Sequence, residues 1–426
     1  MSLDLDDTLV YFRIVLCRET LIMNKKQALL VVFSLIVAVL LVTLYALNQR
    51  GLLAKVKNAG AMTPSPVVSH PSSPASPGPV ISRNVPAFAS SGYYPASNAN
   101  DDNYNKSWRS QGTPAWIAYD LSKVKAPERQ KVLVVWYNQT LAYDHTIIKE
   151  NAYNMPQDYT LDVNSASGGS KPPDKGWITL VTVKGNHYHS RQHILDMAGN
   201  NWIRIDVTAV DGSLENFDVA IKMDVYDAHN GTSDDWIFFG DSITAGGMGH
   251  WTVGNEVKTF AQLISEHAPD NFPVQEAGGT GYLTSADGAK YLNTWLKIFP
   301  GKYVGLSYGT NDAIGCVSAD SFYNNYVTMV QDVLSVGKIP VIPRIPWGEH
   351  PNIQRCGPAL NAKIDTLYTS FPEIIKGPDL WTLFQTNPQL ISKDTIHPTD
   401  TGFGVYRQQW ANVMLRTVYK TQESGG

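Results

Sequence analysis

The chain has 426 residues, of which 43% are hydrophobic and 17% charged, and this length suggests more than one folded domain. Its formal net charge of -4 and its pI near 6.2 offer no basic surface that would neutralise phosphates. These values exclude nucleic-acid binding as a function class.

The first apolar segment is residues 28–47, ALLVVFSLIVAVLLVTLYAL, which carries no charge. Its length matches the roughly 20 residues that cross a bilayer as a helix, and Lys25 and Lys26 before it favour a cytoplasmic N-terminus. We expect a cytoplasmic segment 1–27 and a single-pass transmembrane signal anchor, 28–47, in the cytoplasmic membrane. The rest of the chain would then lie on the periplasmic or extracellular side. A cleaved signal peptide is the alternative, although its apolar region is usually shorter.

Residues 48–86 are expected to form a linker. Much of this stretch reads AGAMTPSPVVSHPSSPASPGPVISRNVP, which is rich in Pro and Ser and poor in large apolar side chains. Such a composition predicts an extended tether.

Residues 87–232 are predicted to form an all-β sandwich. Runs of β-forming residues alternate there with Gly, Asn, Asp and Pro, as in antiparallel sheets. The runs are Trp116–Leu121, Lys131–Tyr137, Trp177–Val183, Trp202–Val207 and Phe217–Val225. The order of the phrases SNANDDNYNKSW, PAWIAYDL, KVLVVWY, GWITLVTV and WIRIDVTA resembles a discoidin-like, galactose-binding-like jelly roll. That resemblance implies carbohydrate binding through aromatic rings at the loop end of the sandwich.

Candidate sugar contacts in this region are Tyr93, Tyr94, Trp108 and Tyr143, and the alternative is that these rings pack inside the domain. His187, His189 and His193 lie at alternating positions, but no Cys or acidic partner stands at ligand spacing. We expect a hydrated surface cluster there and no metal site.

The first motif of the C-terminal region follows the apolar run WIFF at 236–239, which predicts a buried parallel strand. Gly240, Asp241 and Ser242 come next and are followed by ITAGG. Small residues at this point let the chain turn sharply and present the Ser242 hydroxyl at the carboxyl end of the strand, where α/β sheets bind ligands.

A second apolar run, YVGLSY at 303–308, ends in GTND and places Asn311 at another strand end. The Asn311 amide can stabilise a developing oxyanion there. Between the two runs, VQEAGGTGY at 274–282 is rich enough in glycine for a backbone N–H to approach a substrate oxygen.

The third motif is DTIHP, in which Asp394 precedes His397 by three residues. A carboxylate at this spacing can accept a bond from the imidazole Nδ1–H and leave Nε2 to take a proton from a serine.

These motifs, GDS, GTND and DTIHP in chain order on a βα alternation, resemble the SGNH (GDSL-type) hydrolases. The resemblance covers residues 233–426 and implies a flavodoxin-like α/β/α sandwich with a parallel sheet. It also implies that Ser242 is the nucleophile, that His397 is the general base and that Asp394 orients His397. No metal or cofactor is implied.

The implied oxyanion hole consists of the Ser242 backbone N–H, Asn311 and a glycine. Gly281 fits this role best if Glu276 stands where the family often has Asn, and Gly279 is the alternative. Asp241 and Asp312 are expected to be structural.

The sequence thus predicts a serine esterase that removes O-acetyl groups from a carbohydrate or polysaccharide and is held to the membrane by its N-terminal helix. The alternatives are a lipase or thioesterase for longer acyl chains, a non-hydrolytic acyl transferase, or a binding protein that uses the same fold. The sequence leaves the oligomeric state open. Cys316 and Cys356, expected in loops at the carboxyl end of the sheet, are either bridged or free thiols.

Overall fold

The computed structural model describes residues 78–138, 143–144, 146–147, 153–212, 218–249 and 258–421. All of them belong to one compact unit, Pro71–Gly426. The predicted cytoplasmic segment and transmembrane anchor, 1–47, lie outside the described residues. Within those residues, no helix has the length and apolar character that a membrane span requires.

The N-terminal part of this unit is an antiparallel β-sandwich, as the sequence predicts. One sheet has five strands in the order β1-β3-β8-β5-β6 and the other has four in the order β2-β9-β4-β7. Their bounds are β1 Ala87–Ala89, β2 Trp108–Arg109, β3 Ala115–Asp120, β4 Lys131–Tyr137, β5 Tyr153–Asn164, β6 Ile178–Val183, β7 Ser190–Asp196, β8 Trp202–Gly212 and β9 Ala220–Asp227. The predicted runs correspond to β3, β4, β6, β8 and β9, whereas β1, β2, β5 and β7 were not predicted.

The apolar run of β4 is buried on both of its faces. Val132, Val134 and Trp136 point into the core between the two sheets, while Leu133 and Val135 pack in a second cluster that includes Val274 of the C-terminal domain. A strand covered on both faces shows no alternation of apolar and polar residues, which accounts for the uninterrupted KVLVVWY sequence.

The folded region begins earlier than the predicted end of the linker at residue 86. Val80 forms a β-bridge with Tyr226, and Ser82 is fully buried, with its hydroxyl accepting a hydrogen bond from the Val225 backbone N–H at 2.9 Å. The linker boundary is therefore wrong at its C-terminal end. The polar residues of this stretch favoured a tether on sequence alone. Their partners in β9 lie more than 140 residues away and could not be recognised from the sequence.

The C-terminal domain has a parallel five-stranded sheet in the order β11-β10-β12-β13-β14. Its strands are β10 Asp235–Gly240, β11 Val274–Gly279, β12 Tyr303–Ser307, β13 Ile339–Arg344 and β14 Ile375–Asp379. The helices, numbered here in chain order, are α1 Ser242–Met248, α2 Phe260–Ser265, α3 Ser285–Leu296, α4 Thr310–Ile314, α5 Ala319–Ser335, α6 Pro351–Ser370, α7 Leu380–Thr386 and α8 Asp400–Thr417. This strand order is flavodoxin-like, so the parallel α/β fold predicted for this domain is confirmed.

Alternate residues of β10 divide the helices into two layers. Trp236 and Phe238 pack in a cluster with side chains of α2 and α8, whereas Ile237 and Phe239 pack with those of α3, α5 and α6. Both faces of the sheet are thereby covered, and its carboxyl edge is left for the loops that carry the three motifs.

Candidate active site

Ser242 is the first residue of α1, directly beyond the carboxyl end of β10. Asp241 is the N-cap and its Oδ1 accepts from the Ile243 backbone N–H at 3.0 Å. Burial raises the pKa of the Asp241 carboxyl to about 6. A Cβ on Gly240 would lie 2.2 Å from Thr244 Oγ1 and 2.5 Å from the Ser307 carbonyl oxygen, so the turn requires glycine. The expectation that Asp241 is structural is confirmed.

His397 lies 155 residues after Ser242 in the chain and contacts its hydroxyl group. Its Nε2 lies 2.7 Å from Ser242 Oγ, and its Nδ1 lies 2.7 Å from Asp394 Oδ2. The turn that carries both residues is closed by a bond from the Ser392 N–H to the His397 carbonyl at 2.8 Å. The structure therefore joins all three residues in one chain of hydrogen bonds.

Asp394 is held as a carboxylate by its own turn. Although partial burial acts in the opposite direction, backbone N–H groups of Ile396 and His397, the His397 ring and the Ser392 hydroxyl all donate to it. These bonds hold the pKa of Asp394 well below its usual range. An ionised Asp394 can fix the His397 ring and stabilise a proton taken up at Nε2.

Asn311 lies in α4, whose N-cap Gly309 has φ of 132°. The Asn311 amide donates one N–H to the Leu283 carbonyl at 2.9 Å, which leaves its second N–H for another acceptor. The neighbouring Asp312 accepts from the backbone N–H of Ser285 at 2.9 Å and from its hydroxyl at 2.5 Å. The expectation that Asp312 braces this loop is confirmed.

The two candidate oxyanion glycines differ in their surroundings. Gly279 ends β11 opposite Gly240, and a Cβ there would lie 2.3 Å from the Ala245 backbone nitrogen, so Gly279 is needed for packing beneath α1. Gly281 lies beyond the strand, and among the described residues nothing comes within 4 Å of the position of a Cβ. Gly279 therefore has a packing role, whereas the space beside Gly281 is open.

Glu276 belongs to a different environment from the active site. It lies in the middle of β11 opposite Ile237 and is buried, with Ser190, Arg191 and Gln192 of the sandwich beside it. The glutamate at position 276, where the family often has Asn, therefore takes part in the contact between the two domains.

Cys316 and Cys356 form a disulfide with a Cα–Cα distance of 5.4 Å. Cys316 lies in a loop, as expected, directly after α4. Cys356 was also expected in a loop, but it lies within α6, which begins at Pro351, soon after the end of β13. Asn352, also in α6, donates to the Ile314 carbonyl at 2.7 Å. The short helix that carries Asn311 is therefore fastened to α6 at its C-terminal end.

The candidate aromatic residues of the sandwich divide into two kinds. Trp108 and Tyr143 are buried, so the alternative of internal packing is correct for them. Tyr93 and Tyr94 are exposed by 61% and 53%, and these two remain candidates for ligand contact.

The expected hydrated surface cluster is wrong for His189 and His193, whereas His187 is half-buried. His189 is buried beside Asn138, and His193 Nε2 lies 2.9 Å from the Tyr159 hydroxyl. Burial lowers the pKa of His193 to about 3. Side chains alternate between the two faces of β7, and His193 lies opposite Val134. The rings of His189 and His193 therefore face the interior of the sandwich.

Two sets of contacts around the site were missed by sequence reasoning. Tyr143 of the sandwich donates its backbone N–H to Thr280 Oγ1 at 3.3 Å, next to Gly281, and its ring packs on Phe239 at 5.6 Å. Arg407 of α8, fully buried, donates to the carbonyls of Gly247, Gly249 and Lys258. Neither has a local signal, because each depends on residues far apart in the chain.

The comparisons with known proteins agree with this fold. Residues 238–405 match the model of the GDSL-like Lipase/Acylhydrolase family. The sequence has no match among curated proteins.

Solved structures resemble either one part of the chain or most of it. Protein YXIM_BACsu from Bacillus subtilis is 12% identical over 79% of this chain and 89% of its own, with a TM-score of 0.42. A lipase/acylhydrolase from Enterococcus faecalis is 19% identical over 45% of this chain and 99% of its own, with a TM-score of 0.36. The psychrotrophic esterase EstA from Pseudoalteromonas sp. is 14% identical over 43% and 97%, with a TM-score of 0.36.

A chitosan-binding module of a chitosanase/glucanase from Paenibacillus sp. IK-5 is 23% identical over 35% of this chain and 98% of its own, with a TM-score of 0.25. The family match leads to one conclusion: residues 238–405 form a GDSL-like lipase/acylhydrolase domain, of a family of hydrolases that act on esters.

Proposed function

We propose that this protein is a serine esterase that removes O-acetyl groups from a carbohydrate outside the cytoplasmic membrane. The observation that carries the proposal is the pair of 2.7 Å contacts that join Ser242 Oγ to His397 Nε2 and His397 Nδ1 to Asp394. This arrangement supports general-base activation of a serine hydroxyl.

In the proposed reaction, Ser242 Oγ attacks the ester carbonyl while His397 Nε2 takes its proton. The oxyanion that forms accepts hydrogen bonds from the backbone N–H groups of Ser242 and Gly281 and from the Asn311 amide. His397 then gives the proton to the leaving alcohol. Water, deprotonated by the same imidazole, finally releases acetate from Ser242.

The carbohydrate part of the proposal is supported by the domain arrangement. A β-sandwich with exposed Tyr93 and Tyr94 precedes the hydrolase domain, and an apolar segment and a Pro/Ser-rich stretch precede both. An anchored enzyme with a second binding surface would experience a raised local concentration of a polymeric substrate.

The experiment is hydrolysis of p-nitrophenyl esters of two to twelve carbons by the full chain, with Ser242→Ala as the matched control. We expect acetate to be the preferred substrate and Ser242→Ala to lose at least about 1,000-fold in kcat, since no other group replaces the nucleophile. Preference for long esters would favour a lipase or thioesterase. Retained activity in Ser242→Ala would contradict the mechanism.

A further inference from the structure

Tyr282 is the most exposed large hydrophobic side chain among the described residues, at 80% of its surface. It directly follows Gly281 at the carboxyl edge of the sheet. Its φ is 64°, a left-handed conformation that is unfavourable for a bulky side chain. Strained residues of this kind concentrate at functional sites.

The loop around Tyr282 is fixed on both sides. The Thr280 backbone N–H donates to the Gly240 carbonyl at 3.0 Å, which connects the loop to the turn before Ser242. On the other side, Leu283 is buried and its carbonyl accepts the Asn311 amide at 2.9 Å. In the chain, Tyr282 therefore directly follows Gly281 and directly precedes Leu283, the residue that holds the Asn311 amide.

The Tyr282 ring has no role in packing the described part of the chain. Among the described residues it makes no hydrogen bond, ion pair or ring contact. The strained backbone thus presents an aromatic ring that no described residue covers, directly beside Gly281.

The openness of this position indicates which part of the substrate it would contact. A long acyl chain requires an enclosed apolar channel, because every methylene left in water loses its transfer free energy. A sugar ring has an apolar C–H face and hydrated hydroxyl edges, which suits one flat ring open to solvent. The negative face of an aromatic ring attracts the C–H hydrogens of such a ligand.

We propose that Tyr282 is a specificity-determining residue that stacks against the sugar ring on the alcohol side of the ester. The inference rests on the proposed esterase function and deepens it. It assigns sugar recognition to the catalytic domain itself, independently of the β-sandwich.

The test compares two acetate esters that differ in their alcohol, glucose pentaacetate and ethyl acetate, by pH-stat titration. The variant Tyr282→Asn removes the ring and substitutes a residue that readily adopts a left-handed conformation, and Tyr282→Phe retains the ring. We expect Tyr282→Asn to raise KM for glucose pentaacetate about tenfold, with a much smaller effect on kcat/KM for ethyl acetate. Tyr282→Phe should restore the KM.

Other results would overturn the inference. Equal losses on both esters in Tyr282→Asn would mean that the residue acts on the chemistry or the fold, and no change on either would mean that the ring contacts no substrate. With ethyl octanoate as a third substrate, a loss selective for that ester would place the ring on the acyl side. If the wild-type protein cleaved none of these esters, the proposed function would fail first, and that outcome is distinct from an active enzyme that is indifferent to Tyr282.

Discussion

Asp394 accepts four hydrogen bonds, and all of them come from residues 392–397. Such a turn can be recognised in a sequence because donor and acceptor are close together. The DTIHP motif therefore predicted the Asp394–His397 pair correctly. The approach of His397 to Ser242 spans 155 residues and was predicted only through the resemblance to a family.

Asn311 illustrates what sequence cannot provide at this scale. Its place after a strand suggested an oxyanion donor, but nothing local indicates that one amide hydrogen is already donated to Leu283. That bond fixes the orientation of the amide before any substrate binds. Preorganised donors of this type contribute much of the rate enhancement in acyl transfer.

Replacing Asn311 with Ala should lower kcat on p-nitrophenyl acetate by about 100- to 1,000-fold and change KM much less, because the donor acts on charge that develops in the transition state. Steady-state kinetics would measure both parameters. The exposed Asn324 of α5 offers a matched control, and Asn324→Ala should behave as wild type. A kcat within tenfold of wild type in Asn311→Ala would argue against the assigned role.

Among the secondary-structure elements, those with a strong apolar pattern were predicted well. The strand β4, for example, has the predicted bounds, Lys131–Tyr137. The strand β5 was missed because its sequence YNMPQDYTLDVN contains a proline and interior polar residues. The pairing of β5 with β8 shifts register around this proline. The positions of such shifts cannot be predicted from the sequence alone.

The element that carries Asn311 depends on a distant partner for its position. The helix α4 has only five residues and is too short to be stable alone. The disulfide to Cys356 and the bond from Asn352 attach it to α6. Sequence left the bridge open because the distance between the two thiols depends on how α4 and α6 pack.

For the molecule as a whole, the sandwich and the hydrolase domain share a buried polar contact. Gln192 of β7 donates to Asp235 Oδ1 at 3.0 Å, and Glu276 is buried beside Ser190 and Arg191. Burial raises the pKa of Glu276 to about 7, although the nearby Arg191 acts in the opposite direction. The interface is therefore more stable when Glu276 is protonated.

This predicts a pH-dependent stability with a defined sign. Since the pKa is raised on folding from 4.5 to about 7, the native state binds the proton more tightly than the unfolded state. The resulting stability is complete below about pH 4.5 and is lost as the pH rises through 7. The loss is on the order of 3 kcal/mol, from the size of the shift.

The measurement is denaturant unfolding of wild type and Glu276→Gln at several pH values between 5 and 8.5. The neutral Gln retains the shape without ionising, so Glu276→Gln should gain stability relative to wild type as the pH rises. The exposed Glu266 serves as the control position for the same substitution. A difference between wild type and Glu276→Gln that does not vary with pH would rule out this role for the carboxyl.

The central claim, that Ser242 is a nucleophile activated by His397, is tested most directly by covalent labelling with diisopropyl fluorophosphate and peptide mass spectrometry. The account predicts one phosphoryl adduct on Ser242, loss of esterase activity in proportion to labelling, and at least about 100-fold slower labelling in His397→Ala. An adduct on another residue, or full activity with Ser242 modified, would contradict it.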